Sequence, residues 1–107
     1  MTTHWKTIHT DLIDGFTVTL SVAPEYDDPR DYFDDDGETA QAIADGRYDW
    51  FMVRVDASRE GVTLGSDYLG GCCYDTAHDF IRDSGYYNDM VQNAIQYARD
   101  TLRALKD

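Results

Sequence analysis

Two adjacent cysteines and a nearby histidine are the residues of this chain whose types could support covalent chemistry. Cys72 and Cys73 are followed by His78, and a thiolate beside an imidazole is a common nucleophile. The positive end of a short helix could lower the pKa of one thiol. Cysteine also packs as a small buried hydrophobe. We favour this second interpretation, so we assign no catalytic residue.

The same cysteines and an aspartate-rich run are the candidates for a metal site. Adjacent cysteines lack the C-x-x-C spacing that wraps a zinc ion, and a fourth ligand is missing. The run DDDGE at 34–38 carries the carboxylate oxygens that calcium prefers. With Gly37 as the central glycine of a calcium-binding loop, however, Tyr32 and Ile43 take the end positions, which require Asp and a bidentate Glu. We predict no metal site and no cofactor, and weak nonspecific calcium or magnesium association stays open.

The segment from Glu25 to Glu38, EYDDPRDYFDDDGE, is the densest cluster of charge. Eight acidic residues there face one basic residue, Arg30. Repulsion among the acids, together with Pro29, favours a loop. Its aromatic residues could pin the loop to the body, and tyrosine is also favoured at interface hot spots. We predict a partner-binding site made of the charged and tyrosine residues of this segment: Glu25, Tyr26, Asp27, Asp28, Asp31, Tyr32, Asp34, Asp35, Asp36 and Glu38.

The whole chain is strongly acidic. It has 21 Asp and Glu against 9 Lys and Arg, a net charge of -12 at neutral pH. Direct binding to nucleic acid or to an anionic membrane is not expected, because like charges repel. Basic proteins are the natural partners. Twelve charges match about 20 Å of duplex DNA, so a domain of this size presents DNA-like charge density if its acids gather on one face.

Salt adaptation is the other interpretation of this composition. Nearly all the acids are Asp, and Lys occurs only at Lys6 and Lys106. A salt-adapted surface has this bias, and its charge then serves solubility rather than a partner.

The apolar pattern predicts an α+β fold, an antiparallel sheet of about four strands packed by a C-terminal amphipathic helix and two short helices. Alternation of apolar and polar residues marks two strong strands, 16–23 and 49–58. We predict that the first pairs with 4–10 through a turn at 11–15, and the second with 62–64 through a turn at 58–61. Gly65, Gly70 and Gly71 indicate a bulge or bend after that.

Three helices are predicted from capping residues and periodicity. Asp36 can cap a short helix that ends at Gly46. Asp75 and Thr76 can start a second helix, with Thr76 and Asp79 spaced like a capping box. Apolar residues at steps of three or four predict the last helix, from about Tyr87 to Leu105, covering the sheet. These apolar residues are Met90, Val91, Ala94, Ile95, Ala98, Leu102 and Leu105.

The chain, residues 1–107, reads as a single domain, with no internal repeat and no linker. No stretch approaches the roughly 20 apolar residues of a membrane span, and the N-terminal residues lack the apolar run of a signal peptide. Adjacent cysteines give no disulfide framework, which fits a reducing compartment. We predict a cytoplasmic protein of a bacterial or archaeal host cell. A homodimer formed through a sheet edge or the last helix stays open.

In size, Asp-rich acidity and small α+β make-up, the chain resembles the anti-CRISPR and DNA-mimic proteins carried by phages and mobile elements. The resemblance is one of overall character and includes the run EYDDPRDYFDDDGE, with no diagnostic motif. It implies a non-enzymatic inhibitor that occupies the nucleic-acid site of a basic bacterial defence protein or complex, anchored by Tyr26 and Tyr32. The alternatives are a small enzyme that uses Cys73 or Cys72 with His78, and a housekeeping interaction or assembly protein with a solubilising acidic surface.

Overall fold

Two hairpins joined in series form one antiparallel sheet. The structure is a computed structural model, and it describes residues 3–106. The strands are β1 (Lys6–Ile13), β2 (Phe16–Pro24), β3 (Asp49–Arg59) and β4 (Val62–Tyr74), and they lie in the sheet in the order β1-β2-β3-β4. A 3-10 turn (Pro29–Asp31) and the helices α1 (Glu38–Ala44), α2 (Asp79–Asp83) and α3 (Tyr87–Lys106) complete the described part of the chain. The predicted α+β fold is confirmed.

The core lies between one face of the sheet and α3. Alternate residues of β2 and β3 point to this face because successive side chains of a strand alternate between faces. Full burial of each large apolar side chain stabilises the fold by roughly 1.5–3 kcal/mol. The core contacts of α3 end at Leu102, and Leu105 is 74% exposed, so its predicted place on the buried face is wrong. The central buried residues are Phe16, Val18, Leu20, Phe51, Val53, Val55, Ala57, Met90, Val91, Ala94, Ile95 and Ala98.

A glycine lets α3 lie directly on β4. A β-carbon at Gly65 would stand 2.2 Å from the carbonyl oxygen of Ala94 and 2.5 Å from the backbone nitrogen of Ala98. Both distances are far inside van der Waals contact, and both atoms belong to the helix backbone. The register shift of β4 against β3 next to this glycine confirms the predicted irregularity.

Both hairpins close with two-residue turns in the left-handed region. Asp14 and Gly15 have φ of 54° and 82°, and Glu60 and Gly61 have φ of 53° and 79°. Such turns match the twist of paired strands. The predicted five-residue turn at 11–15 is therefore wrong, because residues 11–13 continue β1 and pair with β2. The predicted turn at 58–61 is wrong for the same reason, because residues 58 and 59 continue β3 and pair with β4, and β4 continues past the predicted 62–64.

The sheet face opposite α3 carries an aromatic and charged cluster. The guanidinium of Arg54 lies 4.6 Å from the ring centroid of Trp5, and its Nε lies 2.9 Å from Asp56 Oδ2. Tyr68 packs edge-on against Trp5.

Among residues 3–106, no helix is long and apolar enough to cross a membrane.

Candidate partner-binding end

The register of the sheet brings two separate acidic segments to one end of the molecule. Pro24 of β2 pairs with Phe51, and Asp49 of β3 pairs with Tyr74 of β4. The chain therefore leaves β2, enters β3 and leaves β4 at the same end of the sheet. We call residues 25–49 and 75–83 the acidic end. A cleft of about 390 Å³ lies between them, lined by Phe33, Thr39, Tyr48, Cys73, Tyr74, Asp75, Asp79 and Asp83.

Most of the net charge lies at this end. The acidic end contains 13 of the 21 acidic residues and three of the nine basic residues. It therefore carries ten of the twelve net negative charges. The rest of the chain is nearly balanced. Arg59 at the end of β3 and the arginines of α3 lie at the opposite end of the molecule, beside Asp14.

Glu25 ties the start of the acidic segment to a bulge in β4. Its Oε2 accepts a hydrogen bond from the backbone N–H of Gly71 at 2.9 Å, and its Oε1 accepts one from Asp27 N–H at 3.1 Å. Gly71 has a φ of 66°, and a β-carbon there would lie 2.5 Å from the ring of Tyr32. The positive φ favours glycine at this position, and the close approach of the Tyr32 ring leaves no room for a β-carbon.

Aromatic contacts fix the first half of the loop on the sheet. The indole N–H of Trp50 donates to the carbonyl of Asp27 at 2.9 Å. The rings of Tyr32 and Phe33 pack on Trp50 with centroid distances of 5.1 and 5.8 Å. The hydroxyl of Tyr32 donates to Asp27 Oδ2 at 2.9 Å, and this hydrogen bond raises the pKa of Tyr32. Tyr32 thus pins the loop to the body, whereas Tyr26 is 66% exposed.

Asp28 is largely neutralised by its neighbour. Its Oδ1 accepts from the backbone N–H of Arg30 at 2.9 Å, and its Oδ2 accepts from Arg30 Nη2 at 2.7 Å. Hydrogen bonding to Arg30 lowers the pKa of the Asp28 carboxyl. An exposed pair of this kind adds little stability, but it removes one charge from the surface that a partner would meet.

Asp35, rather than Asp36, stabilises the start of α1. Asp35 Oδ2 accepts from the backbone N–H of Thr39 at 3.1 Å and also from its hydroxyl. The first N–H groups of a helix lack partners within the helix. Asp36 and Gly37 adopt φ of 57° and 82°, so they form the turn into the helix. The predicted Asp36 cap is therefore wrong.

The second short helix begins later than predicted. α2 starts at Asp79, four residues after the predicted start. The spacing of Thr76 and Asp79 forms one half of a capping box, because Asp79 Oδ2 accepts from the backbone N–H of Thr76 at 3.2 Å. Phe80 of this helix is fully buried against Phe51 and Tyr74, so α2 closes the core at the acidic end.

Four predicted site residues face solvent without a partner in the described chain. Across residues 3–106, their carboxylates make no hydrogen bond or ion pair that meets the usual distance limits. They are free to meet a cationic surface. These exposed residues are Asp31, Asp34, Asp36 and Glu38.

The cysteines have the opposite electrostatics from an activated nucleophile. Cys72 is 4% exposed, and burial raises the pKa of its thiol to about 12. Burial and the nearby Asp75 also raise the pKa of Cys73. Both thiols are therefore protonated at neutral pH, whereas a cysteine enzyme requires a lowered pKa. Among residues 3–106, no three His, Cys, Asp or Glu side chains are grouped to hold a metal ion.

Sequence reasoning located the first acidic segment but missed the second. Asp75, Asp79 and Asp83 stand beside it only because β4 returns to the end where β2 stops. The sequence signal was the scarcity of basic residues after β4, where Arg82 is the one base from 75 to 83. The strand order was needed to place that segment.

Comparisons of this chain with protein-family models, with curated proteins and with solved structures find no match.

Proposed function

We propose that this protein binds a basic nucleic-acid-binding protein and inhibits it by placing the acidic end in its nucleic-acid site. The expected targets are bacterial defence proteins or complexes, as for the anti-CRISPR and DNA-mimic proteins that the chain resembles. The site of action is then the cytoplasm of a bacterial or archaeal host. The observation that carries the proposal is the location of ten of the twelve net charges at one end.

The magnitude of this charge supports mimicry of a duplex. Duplex DNA carries one charge per about 1.7 Å of axis, so ten charges correspond to about 17 Å of duplex. The described molecule measures 53 × 26 × 23 Å. The net charge of the acidic end therefore equals that of a duplex segment about one third as long as this molecule. A surface acidic only for solubility has no need to separate its charges in this way.

The fixed geometry of the loop also supports binding. Trp50, Tyr32 and the Glu25–Gly71 hydrogen bond hold the first half of the segment in place. Ordering a flexible loop on binding costs free energy, and a loop that is already fixed avoids part of this cost. Because the attraction is electrostatic, we expect binding to weaken with salt.

Displacement of nucleic acid tests the proposal. A fluorescently labelled duplex is bound to each member of a panel of purified bacterial defence proteins, including an RNA-guided nuclease and a restriction endonuclease. Fluorescence anisotropy then reports release of the duplex. We expect the protein to displace the duplex from at least one member of the panel, and displacement from none contradicts the proposal.

Matched charge variants show which surface acts. The test variant carries Asp31→Lys, Asp34→Lys and Asp36→Lys, three carboxylates without a partner in the described chain. The control carries three substitutions on exposed residues outside the acidic end, Asp11→Lys, Glu60→Lys and Asp100→Lys. Both change the net charge by the same amount, and each alters one residue with positive φ. The test variant should lose displacement while the control retains most of it; equal effects would favour bulk charge over a defined site.

A further inference from the structure

A groove of about 580 Å³ separates the first half of the acidic segment from α1. One wall is the apolar side of α1, and the other is formed by Pro29 and Trp50. Carboxylates and one guanidinium stand along its rim. The lining residues are Glu25, Tyr26, Asp27, Asp28, Pro29, Arg30, Gly37, Ala40, Gln41, Ile43, Ala44 and Trp50.

The apolar side of α1 is left uncovered by the rest of the chain. Ala40, Ile43 and Ala44 are spaced three and four apart, which places them on one side of the helix. Ala40 and Ile43 are only half-buried and Ala44 is exposed, while Ala42 is the one buried residue of α1. Concave surfaces with an apolar floor and a few polar groups at the rim are typical of binding sites. A surface that only carried charge would not need an apolar floor within the acidic end.

We propose that this groove receives a partner segment in which an apolar side chain is flanked by arginine or lysine. The inference rests on the proposed function and specifies the partner's chemistry. Charge complementarity selects the cations, because Glu25, Asp27 and Asp28 line the groove against the single cation of Arg30. The apolar floor of the groove favours an apolar side chain between these cations.

The rim fits the way in which long cationic side chains bind. Arginine and lysine lay their methylene groups on apolar surface and keep their charged ends at the polar edge. Tyr26, 66% exposed beside the groove, offers an aromatic face to such a cation. Pure charge mimicry predicts that only the number of cations matters. The groove predicts a preference for cations that alternate with apolar residues.

Two peptides of equal charge separate these expectations. The probes are fluorescein-labelled 12-residue peptides of alternating arginine and leucine, or of alternating arginine and glycine. We expect the arginine-leucine peptide to bind at least fivefold more tightly to the intact protein. Ala44→Trp, which fills the groove from an exposed position, should remove this preference, and so should Ile43→Ser. Ala104→Trp, the same change at an exposed residue of α3, should leave it unchanged.

The two tryptophans give a readout within one molecule. Trp50 lines the groove, whereas Trp5 lies on Arg54, outside it. During titration with the arginine-leucine peptide, we expect the ¹⁵N indole resonance of Trp50 to shift and that of Trp5 to stay in place.

The outcomes distinguish the groove from the proposed function. Equal affinity for the two peptides, or a preference that survives Ala44→Trp, overturns the groove inference even if Ile43→Ser fails to fold. A stationary Trp50 resonance at saturating peptide overturns it as well. If the preference is present but the Asp31, Asp34 and Asp36 reversals weaken neither peptide, the groove stands and the proposed role of the acidic end is contradicted.

Discussion

The carboxylate of Glu25 accepts a hydrogen bond from the backbone N–H of Gly71 at 2.9 Å, joining residues 46 positions apart in the sequence. This contact connects the start of the acidic segment to the bulge in β4. The bulge turns the Gly71 N–H toward the loop instead of into the sheet ladder, and the absence of a β-carbon lets the ring of Tyr32 approach. The docking of the first half of the acidic segment therefore depends in part on one glycine in a distant strand.

Gly71→Ala should detach the loop. The substitution places a β-carbon 2.5 Å from the Tyr32 ring at a φ of 66°, so we expect a loss of about 2 kcal/mol or more in the free energy of unfolding. Urea unfolding measures the loss, and the near-ultraviolet circular dichroism of Trp50 should change. Gly85→Ala is the control, because Gly85 also has a positive φ but no neighbour within 4 Å of an added β-carbon. A cost no larger than that of the control would show that the Tyr32 contact is unimportant.

Asp35 and Asp36 are adjacent aspartates with different roles. Asp35→Ala removes the acceptor for the Thr39 N–H and should cost about 1 kcal/mol of stability. Asp36→Gly should be neutral or stabilising, because Asp36 has a φ of 57° that glycine adopts without strain. Chemical denaturation of the two variants checks the ranking, and a larger loss for Asp36→Gly would contradict the assignment.

The close contact between β4 and α3 predicts a severe effect of one methyl group. Gly65→Ala drives a β-carbon into the backbone of α3, and overpacking of this kind costs about 3 kcal/mol or more when backbone must move. Thermal and urea unfolding should both show the loss. Thr63→Ala, at an exposed position of the same strand, is the control and should change stability by less than about 1 kcal/mol.

The thiols should respond to pH in a direction set by burial. The pKa of Cys72 is about 12 in the folded protein, against 9.0 without the protein environment. Its contribution to stability is therefore fully present below pH 9 and is lost as the pH rises toward 12. Alkylation by iodoacetamide at pH 8, followed by mass spectrometry, should be at least about a hundredfold slower for Cys72 in the folded protein than in urea. Rapid alkylation of folded Cys72 at neutral pH would revive the cysteine-enzyme alternative.

The elements of this fold were predictable where the pattern is local. Alternation marked the strands around Phe16 and Val53, and the three-to-four spacing around Ala94 marked α3. The boundaries failed where a single backbone conformation decides them. Asp14 has a left-handed φ, so the first turn is shorter than predicted. Asp36 also has a left-handed φ, and Asp35 rather than Asp36 accepts the hydrogen bond from the start of α1.

The candidate site was only half predictable, for a different reason. The run from Glu25 to Glu38 is visible in the sequence, but its docking depends on Trp50 and Gly71, which belong to other strands. The contribution of Asp75, Asp79 and Asp83 depends on strand order, which no local pattern encodes. Predicting the groove beside α1 would require knowing which side of this seven-residue helix the rest of the chain leaves uncovered.

The salt dependence of partner binding tests the central claim most directly. For a target whose duplex is displaced, the dissociation constant of its complex with this protein is measured between about 50 and about 300 mM NaCl. Electrostatic binding changes strongly over this range. The comparison covers the native protein, the Asp31/Asp34/Asp36 reversal and the Asp11/Glu60/Asp100 reversal. We predict a steep loss of affinity with salt for the native protein and the control, and a much weaker affinity with a shallow slope for the acidic-end reversal. The same slope and affinity for all three proteins would contradict the claim that the acidic end is the binding surface.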